Sequence, residues 1–330
     1  MKVGVIGLGS MGKRRIRLIK NNFPNIEIVG SDINPSRCRE VSELFNIKTL
    51  ETLTELLKDK EIDRVFICTP PLTHAKIIHE VLNADKHVFS EINLVNDLYD
   101  ENIKLAKEKN LTLFLSSTQL YRKEINYISD KIDSRTNYIY HIGNYLPDWH
   151  PWENYNDFFV GNKRSNGCRE IFAIELPWIV DCFGKITAIS VSKSKITDLK
   201  IDYSDNFIVT VTHENNNKGV LITDLVSRFP VRNLEVLNEE QYYCWDGKPS
   251  GLKEWDEVTN KLKEVKLYKN IDKDNSYNET IIEDAYLEEI YDFFKAINAE
   301  SEHGLYSFSK DAYIINIINK IEEVETYGFD

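Results

Sequence analysis

The sequence predicts an α/β protein in which a doubly wound parallel sheet precedes an α+β domain with an open, mostly antiparallel sheet. A glycine-rich turn directly follows the apolar run at 2–6, and short apolar runs then alternate with helical patterns as far as residue 115. Farther along the chain, alternating or apolar runs separated by polar turns are typical of an antiparallel sheet with one packed face. We therefore expect two domains, residues 1–120 and residues 121–330.

The opening turn has Gly-x-Gly-x-x-Gly spacing between an apolar strand and a helical pattern. Gly7 permits the tight turn, Gly9 lets the backbone approach a pyrophosphate, and Gly12 lets the helix pack against the strand. The helix N-terminus also offers free N–H groups and a positive dipole end to phosphates. This context indicates a Rossmann domain that binds a dinucleotide, and the alternative is a βαβ unit without a nucleotide. The contacts expected in the turn are Gly7, Leu8, Gly9, Ser10, Met11 and Gly12.

A carboxylate and an arginine after the second apolar run bear on the choice of cofactor. Asp32 ends that run twenty residues after Gly12, where a carboxylate accepts hydrogen bonds from the adenosine ribose. Arg37, just inside the next helix, suits a 2′-phosphate, but Asp32 would repel that group. We therefore expect NAD rather than NADP. The alternative for Arg37 is a solvated helix residue.

Further cofactor contacts are expected where the parallel strands end, because ligands of doubly wound sheets bind at that edge. The run Thr69–His74 follows a continuous apolar strand, and the run 116–119 follows the apolar run at 112–115. His74 either lies near the nicotinamide or helps to start a helix. Gln119 is assigned to the substrate. The residues assigned to the cofactor here are Cys68, Thr69, Pro70, Pro71, His74, Glu91, Asn93 and Thr118.

Composition excludes several classes of function. The 330-residue chain has 41 Lys and Arg against 53 Asp and Glu and a net charge of −12, so a nucleic-acid partner is not expected. No apolar run is long enough to span a bilayer, so no membrane partner is expected. The five cysteines are scattered without C-x-x-C spacing, which indicates neither a disulfide framework nor a metal site. A reducing cytoplasm is the expected location.

An aromatic, loop-like stretch in the second domain contains the first candidate for acid–base chemistry. His150 lies between Trp149 and Trp152, and the ordinary histidine pKa of about 6.5 suits a general acid or base. The two tryptophans are suited to forming a platform for a sugar ring. The alternative is that they anchor the loop while His150 hydrogen-bonds a backbone carbonyl.

Charged residues within a mostly apolar helical segment are the second candidates. Arg169 and Glu170 are followed by Glu175, and buried charges of this kind need partners. A substrate-facing cluster is one solution, with the two acids available for proton transfer and Arg169 for substrate binding. An internal salt bridge is the other. Just upstream, Lys163 and Arg164 are suited to a phosphate or carboxylate, or alternatively belong to a solvated loop.

Several stretches of the chain resemble the Gfo/Idh/MocA family of nicotinamide-dependent dehydrogenases. They are the turn Val5–Gly12, the run Cys68–His74, the strand Lys86–Glu91 and the final helical segments around Tyr286–Ile290. The resemblance implies a Rossmann domain and an open-sheet domain that contacts substrate and forms a homo-oligomer, a dimer or tetramer, through its exposed face. It also implies oxidation or reduction of a secondary alcohol of a sugar, inositol or nucleotide sugar, with Glu91 near the nicotinamide ribose.

The sequence departs from that family at the residues that move protons. The family's Glu-Lys-Pro motif reads Glu-Ile-Asn at 91–93, so Ile92 stands in place of the lysine. Counting back from the Phe-Gly pair at 183–184 places Ile174 at the family histidine. An isoleucine side chain has no titratable group, so neither residue shuttles a proton.

Two classes of function follow from these observations. The first is an NAD-dependent oxidoreductase of a sugar or nucleotide sugar, with His150 or an acid from 169–175 handling the hydroxyl proton. The stretch Trp149–Glu153, together with Arg169 and Glu170, also resembles a branch of the family associated with bacterial surface-polysaccharide gene clusters. The second is a protein with a dehydrogenase fold that binds NAD and a sugar without redox chemistry, as a sensor or partner.

Overall fold

The computed structural model describes residues 1–149, 153–269, 280–299 and 302–324. The chain forms two compact units, the first of residues 1–118 and 285–313 and the second of residues 119–284 and 314–330. The first break lies close to the predicted boundary at 120. The predicted domain of residues 121–330 differs from the structure in one respect, because residues 285–313 belong to the first unit.

The first unit contains a six-stranded parallel sheet with helices in its connections. Its strands are β1 (Lys2–Ile6), β2 (Glu27–Ser31), β3 (Lys48–Leu50), β4 (Ile62–Ile67), β5 (His87–Ser90) and β6 (Leu113–Leu115). Its connecting helices are α1 (Ser10–Asn22), α2 (Pro35–Phe45), α3 (Leu53–Lys58), α4 (Pro71–Asn83) and α5 (Tyr99–Glu108). The strand order is β3-β2-β1-β4-β5-β6, which confirms the predicted doubly wound sheet. The order reverses at β1, and ligands of such sheets bind at this switch point.

Local sequence signals set the starts of two of these helices. Asn34 caps α2 by accepting a hydrogen bond from the Ser36 N–H, and Pro35 occupies the first helical position. Thr52 caps α3 by accepting from the Glu55 N–H at 3.3 Å. Both caps satisfy N–H groups that the helix itself leaves unpaired, so both starts were predictable from the sequence.

Aromatic packing explains why residues 285–313 join the first unit. Most of helix α8 (Glu283–Asn298) lies in this segment, and its Phe293 is fully buried. The Phe293 ring lies 5.3 Å from the ring centroid of Phe66 and 5.5 Å from that of Phe89. It also lies 5.6 Å from the Phe114 ring. The three partners are on β4, β5 and β6, so α8 covers the apolar side chains of three neighbouring strands.

The second unit contains an eight-stranded mixed sheet. Its strands are β7 (Asn137–Gly143), β8 (Ile186–Ser194), β9 (Asn206–His213), β10 (Lys218–Asp224), β11 (Val231–Leu237), β12 (Tyr242–Trp245), β13 (Lys253–Asp256) and β14 (Lys261–Glu264). Its helices are α6 (Lys123–Ser129), α7 (Gly167–Phe183) and most of α9 (Phe308–Glu323). The order is β14-β13-β12-β11-β7-β10-β9-β8, with β7 and β10 parallel and the other neighbours antiparallel. The predicted open, mostly antiparallel sheet is confirmed.

Helix α7 covers one face of this sheet and extends farther than predicted. The sequence predicts a helix that stops at Pro177, but the structure continues it to Phe183. Proline removes one intrahelical hydrogen bond, and burial on both sides of it compensates for that loss. The Trp178 ring lies 5.4 Å from the Tyr140 ring of β7, and Trp178 is fully buried.

The opposite face of the sheet is open and carries exposed apolar side chains. Five of them, from five different strands, point to this same face: Ile139, Ile208, Leu237, Trp255 and Leu262. Among the residues placed in the structure, no helix is long and apolar enough to cross a membrane.

Candidate functional site

The glycine turn after β1 has the geometry of a phosphate cradle. Gly7 has φ +87°, and a Cβ there would lie 2.7 Å from the Cys68 carbonyl carbon. A Cβ on Gly12 would lie 1.9 Å from the Gly7 carbonyl oxygen, so both positions require glycine. At Gly9 a Cβ would meet no atom within 4 Å, so this glycine faces open space. Exposed Ser10 begins α1 with no side-chain cap on the helix, which leaves its first N–H groups available to an anion.

Asp32 closes the same turn from the end of β2. Its Oδ2 accepts a hydrogen bond from the Leu8 N–H at 2.8 Å, and its Oδ1 accepts from the Asn34 N–H at 2.8 Å. Only 7% of the residue is exposed. Each carboxylate oxygen has a second lone pair, so both remain able to accept a ribose hydroxyl. Arg37 is half-exposed with its Nη1 3.8 Å from Asp32 Oδ2, which places it beside the carboxylate rather than free in solvent.

The loop after β4 is held by an internal network around His74. Pro70 and Pro71 lead into α4, and the His74 Nε2 lies 2.6 Å from the Thr69 carbonyl. The Asn93 Oδ1 lies 2.8 Å from Nδ1, so both ring nitrogens face an oxygen acceptor. Burial lowers the pKa of His74, so the ring is neutral and its single N–H is donated to one of these two oxygens.

This network bears on two predicted cofactor contacts. His74 is 1% exposed and Asn93 is 3% exposed, and the two side chains share one hydrogen bond. Of the two interpretations of His74, the geometry favours the one in which it organises the start of α4. Thr69 keeps its hydroxyl near the surface, 2.8 Å from the Thr73 hydroxyl.

Glu91, which follows β5, lies in a buried ion-pair network that the sequence does not reveal. Its Oε1 is 2.7 Å from the Nε of Arg15, and the same guanidinium contacts Glu289 Oε2 through Nη2 at 2.7 Å. Glu289 also accepts hydrogen bonds from the Ser116 hydroxyl at 2.8 Å and the Thr118 hydroxyl at 3.1 Å. Burial raises the pKa of Glu289, while Arg15 opposes that rise. The predicted contact of Glu91 with a ribose stays a prediction.

Cys68 and Met11 lie at the edges of this arrangement. The Cys68 thiol is 3.9 Å from Glu91 Oε1, and burial raises its pKa well above the ordinary value. It is therefore a neutral thiol rather than a nucleophile. The Met11 sulfur lies 3.3 Å from the Arg14 Nη1.

One sequence signal could have identified Arg15 as part of the buried network. Arg15 lies on α1 beside buried Ile16, and a charge in a buried position requires a partner.

In the second unit, helix α7 carries the carboxyl group of Glu170, which has a buried oxygen with neither a hydrogen bond nor an ion pair among the described residues. Asn166 caps the helix by accepting from the Arg169 N–H at 2.8 Å, and Glu170 lies in the first turn. The Oε2 of Glu170 is buried and makes no hydrogen bond, although part of the residue remains accessible. Burial raises the pKa of Glu170 to about 8. Its proton is therefore exchangeable near neutral pH, as general acid–base chemistry requires.

The carboxylate of Glu175, the other predicted acid, has internal partners at both oxygens. Its Oε2 accepts hydrogen bonds from the Tyr140 hydroxyl and the Trp178 indole N–H, both at 2.8 Å. Its Oε1 is 2.7 Å from the Nη1 of Arg232. The structure favours the internal salt bridge over the expected role of Glu175 in proton transfer, because two hydrogen bonds and an ion pair hold the buried carboxylate.

Arg169 also has internal partners. It forms an ion pair with Glu322, and its Nη2 donates to the Asn319 amide oxygen at 2.6 Å. Both partners are on α9. The structure therefore favours the salt-bridge interpretation over the predicted substrate contact, because the guanidinium is 5% exposed and already bonded.

The remaining predicted substrate residues lie on loops of the second unit. Trp149 donates its indole N–H to the Asn144 carbonyl at 3.1 Å, which supports the loop-anchor interpretation. Lys163 and Arg164 are exposed in the short 3-10 turn Lys163–Ser165. The Oε1 of Gln119 is buried without a hydrogen-bond partner. His150 and Trp152 lie outside the described residues.

The residues around the glycine turn fit a dinucleotide. The open space at Gly9, the uncapped start of α1 and the available lone pairs of Asp32 together provide for a pyrophosphate and a ribose. Residues 1–117 match the family model GFO_IDH_MocA, described as an oxidoreductase family with an NAD-binding Rossmann fold. Residues 1–117 are therefore similar to the NAD-binding Rossmann domain of the Gfo/Idh/MocA family.

Relatives and solved structures extend this comparison. A myo-inositol 2-dehydrogenase of Thermotoga maritima is 28% identical over 139 residues, 41% of this chain and 42% of that protein. The match thus spans about two fifths of the relative's length. UDP-N-acetylglucosamine 3-dehydrogenase from Acidithiobacillus ferrooxidans superposes with a TM-score of 0.76 and 18% identity, covering 97% of this chain and 96% of that chain. Levoglucosan dehydrogenase in complex with NADH and levoglucosan superposes with a TM-score of 0.78 and 17% identity. The superposition covers 98% of this chain and 96% of that chain. At these identities the two structures establish a shared fold.

Two positions distinguish this chain from the Gfo/Idh/MocA sequence pattern. Ile92 and Ile174 are both partly exposed apolar side chains, at the positions where the pattern has a lysine and a histidine. Neither side chain offers a proton, whereas Glu170, four residues before Ile174 on α7, carries a titratable carboxyl group.

Proposed function

We propose that this protein is an NAD-dependent oxidoreductase acting on a secondary alcohol of a sugar or nucleotide sugar. The observation that carries the proposal is Glu170, a carboxyl group with an unpartnered buried oxygen and a pKa of about 8. The match of residues 1–117 to an oxidoreductase family supports the class of reaction. The carboxylate of Asp32 supports NAD over NADP, because it would repel a 2′-phosphate.

Glu170 supplies the proton transfer that Ile92 and Ile174 cannot. A nicotinamide dinucleotide held at the turn Gly7–Gly12 and at Asp32 would supply the hydride chemistry. The ionised Glu170 accepts the hydroxyl proton when an alcohol is oxidised, and the protonated form donates a proton when a carbonyl is reduced. Burial raises the pKa of Glu170 to about 8, so most of it is protonated at neutral pH and able to donate a proton. Oxidation should therefore accelerate as the pH rises through about 8.

The test is a spectroscopic assay with purified protein, NAD and a panel of UDP-, GDP- and CMP-linked sugars and free sugars. Reduction of the cofactor with one of them would establish the dehydrogenase. Glu170→Gln should then lower turnover on the order of a hundredfold or more and remove the pH dependence near 8. His150→Asn is the matched comparison, because the sequence marks His150 as the other acid–base candidate. Loss of activity in His150→Asn with full activity in Glu170→Gln would show that the acid–base residue is His150 and not Glu170.

A second candidate function is favoured by Ile92 and Ile174. A protein with these residues binds NAD and a sugar without redox chemistry and acts as a sensor or partner. Binding of NADH, followed by its fluorescence, together with binding of a sugar and no cofactor reduction, would support this function over the first.

We also propose a homo-oligomer, a dimer or tetramer, formed through the open sheet face of the second unit. The exposed side chains of Ile139, Ile208 and Trp255 on that face support it, since contiguous apolar surface marks an interaction site. A cytoplasmic location and a role in bacterial surface-polysaccharide synthesis remain predictions from the sequence. Light scattering of the purified protein tests the oligomer.

A further inference from the structure

A cleft of about 730 Å³ lies in the second unit between two loop segments. One wall consists of residues 161–163 and the other of Lys195 with residues 199–202. The cleft is shallow and largely open to solvent, and its volume is comparable to the roughly 300–1,000 Å³ of small-molecule sites. We call this feature the lysine cleft.

Both walls of the lysine cleft are held by hydrogen bonds. Tyr203, which follows the second wall, donates its hydroxyl to the carbonyl of Val160, which precedes the first wall, at 2.7 Å. The Lys200 N–H of the second wall donates to the Tyr155 hydroxyl at 3.2 Å. The second wall is anchored by the fully buried Asp205, which accepts the Ile196 N–H at 2.8 Å. The cleft is therefore preorganised, which reduces the entropic cost of binding.

The charge of the lining is opposite to that of the chain as a whole. Lys163, Lys195 and Lys200 are exposed and line the cleft, and Asp202 lines it as well, so three positive charges face one negative charge. The whole chain has a net charge of −12. A local concentration of cations in an acidic protein attracts an anion, and lysine ammonium groups bind phosphate as point charges. Lys195 Nζ is positioned by a bond of 3.0 Å to the Thr197 carbonyl.

We propose that the lysine cleft binds the diphosphate of a nucleotide-linked sugar, an inference that rests on the proposed function and narrows its substrate class. A neutral sugar or polyol gains no charge–charge attraction from three ammonium groups, whereas a diphosphate is attracted by all of them. The first wall also runs directly into the helix that bears Glu170, since α7 begins four residues after Lys163. The anionic part of the substrate is thus assigned to the residues immediately before the acid–base helix.

Calorimetry with inorganic pyrophosphate at low ionic strength tests the cleft without any turnover. The triple variant Lys163→Gln, Lys195→Gln, Lys200→Gln should bind pyrophosphate about tenfold more weakly than the unmodified protein. The matched control changes three other exposed lysines of the same unit to glutamine: Lys185, Lys261 and Lys266. It should bind within about twofold of the unmodified protein. Circular dichroism melts of both variants verify that they are folded.

The following outcomes would overturn the proposal. They are absence of pyrophosphate binding by the unmodified protein, and equal loss of binding in the two triple variants. Competition experiments distinguish the source of the phosphate. Displacement of pyrophosphate by UDP supports a nucleotide-linked ligand. Displacement by a hexose phosphate but not by UDP overturns that assignment. Failure of the proposed function has a different signature, because pyrophosphate binding would persist while no sugar in the panel reduced the cofactor.

Discussion

Arg15 and Glu91 form a two-point buried ion pair, with Nε 2.7 Å from Oε1 and Nη2 3.2 Å from Oε2. The same guanidinium lies 2.7 Å from Glu289, so one cation compensates two carboxylates. The three residues come from α1, the end of β5 and α8. The Arg15 guanidinium therefore connects α1 both to the end of β5 and to the segment 285–313 of the first unit.

Removing that cation should strongly destabilise the first unit. In Arg15→Met two buried carboxylates lose their counter-charge, so we expect a loss of about 3–5 kcal/mol in the free energy of unfolding. Arg15→Lys keeps the charge without the planar fork and should lose less. Denaturant unfolding followed by circular dichroism measures both. A loss below about 1 kcal/mol in Arg15→Met would show that the network contributes little.

Two alanine substitutions in the glycine turn should separate binding from stability. Gly9→Ala adds a methyl group to open space, so the protein should keep its stability but bind NADH about tenfold more weakly. Gly12→Ala places the methyl group 1.9 Å from the Gly7 oxygen and should cost about 1–3 kcal/mol in stability. Fluorescence titration with NADH and thermal melts test the pair. Unchanged NADH affinity in Gly9→Ala would argue against a pyrophosphate at this turn.

Asp32 should set the preference between the two nicotinamide dinucleotides. Asp32→Asn removes the charge that repels a 2′-phosphate while keeping oxygen that accepts the Leu8 N–H. We expect the ratio of NADPH to NADH dissociation constants to fall about tenfold in the variant. Parallel fluorescence titrations of both nucleotides measure the ratio. Arg37→Gln is the companion variant, and a larger loss of NADPH than of NADH affinity would indicate that Arg37 contacts the 2′-phosphate.

Glu170 should make the stability of the second unit depend on pH. Its pKa rises from an ordinary 4.5 to about 8 on folding, so the folded state binds the proton more tightly than the unfolded state between those values. The free energy of unfolding should therefore fall as the pH rises from about 4.5 to about 8, and level off above. We expect a contribution on the order of 2 kcal/mol, since part of the residue is accessible to solvent. The Glu170→Gln variant should lack this pH-dependent contribution. Identical pH profiles of stability in the unmodified protein and the variant would contradict the burial of this carboxyl group.

The sequence predicts those elements of the fold whose signals are local. The apolar runs of β1 and β4 are buried on both faces, and Asn34 and Thr52 cap helices through their own neighbours. Strands β13 and β14 were not predicted, because Lys253–Asp256 and Lys261–Glu264 are polar and largely exposed. Their pairing comes from the sheet rather than from an apolar pattern.

The same distinction between local and long-range signals applies to the residues of the candidate site. The roles of Gly7 and Gly12 follow from spacing, and the structure gives both the close backbone approaches that require glycine. The salt bridge of Glu175 with Arg232 joins residues far apart in the chain, so the sequence left a salt bridge and a substrate contact equally open. Arg15 and Glu289 are 274 residues apart, and no periodic pattern identifies partners at that distance.

The return of residues 285–313 to the first unit has a consequence for synthesis of the chain. Phe293 covers Phe66, Phe89 and Phe114, yet the ribosome makes residues 119–284 before it. At roughly 5–20 residues per second, those rings wait about 10–30 s without their cover. The nascent first unit thus exposes an aromatic, aggregation-prone surface while the second unit is being made. We expect chaperone binding to matter most during this interval.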